Sequence, residues 1–112
     1  MTPPCECVLV ESSAQLTDAA RLFRAYADAL PFELDFQGFE AELAALPGRY
    51  APPTGAILLA MRDGNAIGCV GLRALEPGTC EMKRMYVDTA GRGMGVGRAL
   101  GEAVIALARQ LG

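Results

Sequence analysis

The residues with the clearest chemical content lie late in the sequence, at Arg92-Gly93-Met94-Gly95-Val96-Gly97-Arg98. Alternating glycines let the main chain take angles and close approaches that a Cβ forbids, so successive N–H groups can converge on one anion. A periodic apolar run begins directly after them, and the N-terminus of the helix it predicts carries about half a positive charge. Arg92 and Arg98 add whole charges beside it. A pyrophosphate fits such a turn. Shaping a tight strand-to-helix connection would alone require fewer glycines and neither arginine.

Other chemistries are narrowed by what the chain lacks. It has no histidine, which removes Ser-His-Asp and Cys-His catalysis, since no side chain with an ordinary pKa near neutrality is present as base. An acid or base must be a carboxylate, tyrosine, lysine or water. Cys5, Cys7, Cys69 and Cys80 read as reduced thiols and small strand residues; without histidine or a second close cysteine pair they make no metal site. A dinucleotide-binding fingerprint wants an acidic residue about 20 positions beyond its glycines, past the last residue here. A Walker-type loop wants Gly-Lys followed by Ser or Thr, whereas Gly97 precedes Arg98-Ala99.

The glycine turn needs elements to position it. Thr79 to Val87 reads as the strand entering it, and Gly93 to about Leu111 as the helix leaving it, with Val96, Leu100, Val104, Leu107 and Leu111 on one face. Upstream, Cys5 to Val10 suits a first strand. Ser12 with Gln15 has capping-box spacing and opens a helix carrying Leu16, Ala20, Phe23, Ala27 and Leu30, stopped by Pro31. A second helix is expected from about Gln37 to Leu46, closed by Pro47-Gly48, and then a loop over Arg49 to Thr54. Gly55 to Met61 and Ala66 to Leu75 form an antiparallel pair around Asp63-Gly64, because a primed turn needs the positive φ these residues tolerate. Glu76-Pro77-Gly78 supplies the next turn.

The composition bounds the rest. A chain of 112 residues allows one domain, and a 52% apolar content supplies a core. A net charge of −3 gives no broad attraction to nucleic acid or anionic membrane. The longest apolar run, around Ala56 to Met61, is far short of the roughly 20 residues of a membrane span. No secretory signal is visible at the N-terminus, so the expected compartment is cytoplasmic.

Val87 to Leu100 resembles the signature of the GNAT superfamily of acyl-coenzyme A N-acyltransferases, a strand, a short loop, Arg/Gln-x-x-Gly-x-Gly/Ala and a helix. Glu81-Met82-Lys83-Arg84-Met85-Tyr86-Val87 is similar to a common form of that family's fourth strand. Phe36-Gln37-Gly38-Phe39, Glu42-Leu43 and Leu46-Pro47-Gly48 are similar to a group of small bacterial members. The resemblance covers the whole chain. It implies an α+β fold with a mixed, mostly antiparallel sheet and helices on both faces.

The resemblance also implies roles. Main-chain amides of Arg92, Gly93, Met94, Gly95, Val96 and Gly97, with Arg98 adjacent, would hold the coenzyme A pyrophosphate. The backbone of Met85, Tyr86 and Val87 would pair with the pantetheine arm, and a bulge there would let an N–H polarise the thioester carbonyl. Glu81 sits where some members carry a general base. The implied activity is transfer of an acetyl group from acetyl-CoA to a primary amine of a small-molecule or protein acceptor by direct attack. The other reading is a non-catalytic CoA- or phosphate-binding remnant that dimerises.

The family's further strand, helix and closing hairpin have no counterpart before Gly112, so the expectation is one N-acetyltransferase domain over residues 1–112, incomplete on its C-terminal side. An exposed sheet edge would then favour a homodimer. Among the remaining candidates, Tyr86 is expected to pack, Tyr26 and Tyr50 lack a supporting motif, and Lys83 and Arg84 are read as outward charges. Phe36 and Phe39 are assigned to packing rather than to an acceptor pocket.

Overall fold

The structure, a computed structural model, describes residues 5–30, 36–51, 55–76, 78–88, 93 and 95–111. The first strand, β1 (Glu6–Leu9), leads into helix α1 (Ser13–Ala29), and the capping box between them is complete. Ser12 Oγ accepts from the Gln15 N–H at 3.1 Å, while Gln15 Oε1 accepts from the Ser12 N–H at 2.9 Å. Two N–H groups that the helix start leaves without intrahelical acceptors are thus satisfied reciprocally. The helix ends at Ala29 with Leu30 extended; Pro31 lies outside the described residues. The fully buried residues of α1 are Ala19, Leu22 and Phe23, and Leu16 and Ala27 pack against the same core, so the expected Leu16, Ala20, Phe23, Ala27, Leu30 row faces the core in part and Ala19 and Leu22 widen it.

Helix α2 (Phe36–Ala44) is followed by a 3-10 turn at Gly48–Tyr50. This corrects the expected loop. The turn buries Tyr50, whose ring meets Phe23 edge to face at 5.7 Å between centroids. Strands β2 (Ala56–Arg62) and β3 (Asn65–Glu76) are joined by Asp63-Gly64, with φ of 52° and 81° as a primed turn requires. After the turn at Gly78 comes β4 (Thr79–Val87), and Gly93 and Gly95 lead into α3 (Val96–Leu111).

The strands pair in sequence order, β1-β2-β3-β4, every neighbouring pair antiparallel. Alternation divides the sheet into two cores. Ile57, Leu59 and Cys69 face Leu22 and Phe23 of α1 and Phe39 of α2. Leu58, Ala60, Val70 and Leu72 face Val96, Leu100 and Val104 of α3. Each side chain that reverses face would leave one helix and crowd the other, so the pleat fixes the register. Helices therefore cover both faces, as expected. Among the described residues, no helix is long and apolar enough to cross a membrane.

Two glycines let the layers approach. A Cβ at Gly68 would lie 3.0 Å from Leu100 Cδ1 and 3.0 Å from the Tyr86 carbonyl oxygen, and one at Gly71 would lie 2.7 Å from Tyr50 Cε1. The first seats α3 on β3; the second seats the Tyr50 ring on the opposite face.

Candidate active site

The pairing of β3 with β4 shifts register at two places, one beside the Gly78 turn between Ala74 and Glu76 and one in mid-strand between Cys69 and Gly71, and the second bears on the site. Cys69 is opposite Tyr86 and Gly71 is opposite Lys83, so the single residue Val70 faces both Arg84 and Met85. This is a β-bulge, with Arg84 at φ 59°. A side chain in the left-handed region is uncommon outside glycine, asparagine and aspartate, and here it is an arginine in the middle of a strand. Met85, Tyr86 and Val87 run on from the bulge to the glycine turn. Tyr86 packs toward the α1 core, while Met85 and Val87 pack toward α3.

Gly93 and Gly95 both have φ near 80°. At Gly93 the requirement is purely conformational, because a Cβ there would meet nothing within 4 Å. At Gly97, already within α3, a Cβ would meet only Val87 Cγ2, at an ordinary 3.8 Å, so packing leaves space over the first turn. Among the described residues a helical bond runs from the Ala99 N–H to the Gly95 carbonyl at 3.0 Å, and a helix start leaves its leading N–H groups without intrahelical acceptors. The described part of the turn thus fits an anion on main-chain donors at a helix start. Arg98 is exposed and reaches Glu102 one turn on, at 3.1 Å. Arg92 and Met94 lie outside the described residues.

Glu81 lies on β4 opposite Arg73. Its carboxylate accepts from Arg73 Nε at 3.0 Å and lies 3.8 Å from Lys83 Nζ, with the side chain 38% exposed. It is both tethered and reachable from solvent.

The largest departure from the sequence reading is Arg84, which is not an outward charge. Its side chain is 11% exposed and makes a two-pronged bond with Glu42 of α2, Nε to Oε2 at 3.0 Å and Nη2 to Oε1 at 3.1 Å. The guanidinium carbon also lies 5.3 Å from the centre of the Phe39 ring and 5.6 Å from that of Tyr26. The Glu42 hydrogen bonds hold the Arg84 guanidinium protonated even more firmly than usual. On its main-chain side, the Cys69 thiol donates to the Arg84 carbonyl, 3.2 Å away. Burial pushes the Cys69 thiol up to about 12, so it stays a protonated donor near neutrality.

Tyr50 completes this cluster. Its hydroxyl is buried with no hydrogen-bond partner among the described residues; burial raises its pKa and Glu42 adds to that, with Arg84 and Arg73 acting against it. Sequence reasoning missed Glu42, Arg84 and Tyr50 as a unit because they sit on a helix, a strand and a turn far apart in the chain. The signals in the sequence were separate: Glu42 lies in a segment similar to one bacterial group, Arg84 in one similar to the family's fourth strand, and Tyr50 in neither.

An antiparallel sheet covered on both faces, a bulged strand and a glycine turn feeding a helix define an acyltransferase architecture. The sequence model of the acetyltransferase (GNAT) family matches residues 19–112, and the chain belongs to that family. An uncharacterized N-acetyltransferase of Schizosaccharomyces pombe is 36% identical over 105 residues, covering 92% of this chain and 64% of the yeast protein. A GNAT-family acetyltransferase from Staphylococcus aureus has the same fold, with a TM-score of 0.76 at 18% identity, over 94% of this chain and 67% of that one. A Mycobacterium tuberculosis protein solved in complex with CoA aligns with a TM-score of 0.64 at 20% identity, over 93% and 58% of the two chains. The chain spans less than two thirds of the length of the curated relatives it matches.

Proposed function

We propose that this protein transfers an acetyl group from acetyl-CoA to a primary amine of a small-molecule or protein acceptor, by direct attack. The carrying observation is the sequence of a bulge at Arg84–Met85, a short exit strand and a positive-φ glycine turn at the start of α3. Gly93, Gly95, Val96 and Gly97, with Arg92 and Met94, would hold the pyrophosphate on main-chain N–H groups, and Arg98 would add charge. The backbone of Met85 to Val87 would lie along the pantetheine arm and direct one N–H at the thioester oxygen.

In this reading Glu81 accepts, through water, the proton that the amine must lose. The nitrogen forms a bond to the carbonyl carbon and negative charge builds on the oxygen, where the strand N–H opposes it. The carbon–sulfur bond then breaks and the thiolate leaves as free CoA. Residence in the cytoplasm, and a homodimer through an exposed sheet edge, belong to the same proposal.

Titration calorimetry with acetyl-CoA, followed by thiol release on a pool of amines, tests it. Binding with turnover is the expected result. Binding without turnover would make the chain a CoA-binding remnant, and no binding would remove the site altogether. Gly95→Val should abolish binding while the fold is retained, because a β-branched residue resists φ near 80°.

A further inference from the structure

The bulge in β4 depends on an arginine in a conformation that arginine resists, and three independent contacts converge on that residue. Its guanidinium is forked onto Glu42 of α2 at 3.0 and 3.1 Å. The same group lies over the rings of Phe39, also on α2, and Tyr26 on α1. Its carbonyl accepts from the fully buried Cys69 thiol on the neighbouring strand. If these partners hold residue 84 at positive φ, losing one lets it relax toward ordinary strand angles, and Met85, next along the chain, turns with it.

We propose that Arg84 is a positioning residue, and that Glu42 and Cys69 clamp it from its two ends so that helix α2 sets the direction of the β4 backbone from Met85 onward. What the clamp does for catalysis rests on the reading of that backbone as the thioester-polarising segment; the clamp itself does not. Glu42 would then act on acyl transfer without touching either substrate. The residue type follows from the physics: a partly buried carboxylate on a neighbouring helix can fix a long side chain by two bonds, and a thiol donor can serve the Arg84 carbonyl at the bulge.

Comparison of Arg84→Gly with Arg84→Ala tests this. Both remove the Glu42 bond, but glycine takes positive φ freely and alanine does not. If the clamp exists to hold the backbone, Gly should keep the Met85 amide at its wild-type NMR position and exchange rate, and Ala should shift it. A purely stabilising ion pair predicts the opposite order, since glycine weakens a strand more than alanine does. Glu42→Ala and Cys69→Ala should shift the Met85 amide as Arg84→Ala does, with Glu42→Gln and Cys69→Ser restoring it in part; these milder variants serve if the first do not fold.

The proposal is overturned if Met85 is unmoved in Glu42→Ala and Arg84→Ala, or if Arg84→Gly behaves as Arg84→Ala. A parallel infrared measurement of the carbonyl stretch of bound, carbonyl-labelled acetyl-CoA separates the clamp from the function. Wild type and Arg84→Gly should lower that frequency and Arg84→Ala should lose the shift, with kcat down at least about tenfold and KM for acetyl-CoA little changed. A wild-type protein that fails to bind acetyl-CoA, with the amide pattern as expected, supports the clamp and refutes the acyltransferase reading.

Discussion

Gly71 and Tyr50 share a space with no slack. The Tyr50 ring is held edge-on by Phe23, so it cannot retreat from a Cβ placed 2.7 Å away. Gly71→Ala should therefore destabilise the protein by about 1–3 kcal/mol, the usual penalty of overpacking, read as a lower urea midpoint at unchanged slope. Cys69 makes a different prediction. Its thiol titrates near 9.0 when unfolded and at about 12 when folded, so between those pH values the unfolded state binds fewer protons and stability falls as pH rises. Cys7, pushed up to about 11, acts in the same window. Cys69→Ala should flatten the loss of stability between about pH 9 and about pH 11, measured by denaturant midpoints. The glycine turn could be singled out as a candidate in the sequence because its chemistry is local, and Glu81 only through the family resemblance. Arg84 could not be singled out, since its partner Glu42 lies 42 positions away, and no rule on a single strand distinguishes a charge facing water from one forked onto a helix.

Among the elements, the helices differ in what holds them. The start of α1 relies on exposed side-chain bonds, so Ser12→Ala should cost about 1 kcal/mol, seen as a lower thermal midpoint. Helix α3 relies on burial. Leu100 is fully buried against the sheet and truncation to Ala should cost about 2–5 kcal/mol, whereas Ile105, 52% exposed, should tolerate a polar replacement within about 0.5 kcal/mol. The capping box, the Asp63-Gly64 hairpin and the apolar face of α3 could be read from sequence because each is settled within a few residues. The 3-10 turn at Gly48–Tyr50 could not. What makes it a turn is the pocket between Phe23 and Gly71 that receives Tyr50, and that pocket exists only after β3 and α1 have docked.

For the molecule as a whole, the two cores meet at β2 and β3, and the proposed ligand site lies along β4 and the start of α3. A ligand bound there ties the outermost strand to the helix on one face. If acetyl-CoA binds only the folded state, its presence at about one hundred times Kd should add about 2.7 kcal/mol of stability, seen as a raised thermal midpoint that Gly95→Val loses. The layered fold was legible from the order of periodicities together with the family resemblance. How α2 is coupled to β4 was legible from neither, because it depends on a fork of hydrogen bonds that forms across the finished sheet.

The turn at Gly78 has a practical use. With φ near 82° and open space where a side chain would stand, it lies at the far end of β4 from Val87, and nine strand residues put about 30 Å between the two ends. A biotin acceptor peptide or a dye spliced in at that corner would anchor the protein to a sensor chip with the Val87 end of β4 and the proposed site turned outward, so binding could be followed without labelling the small molecule.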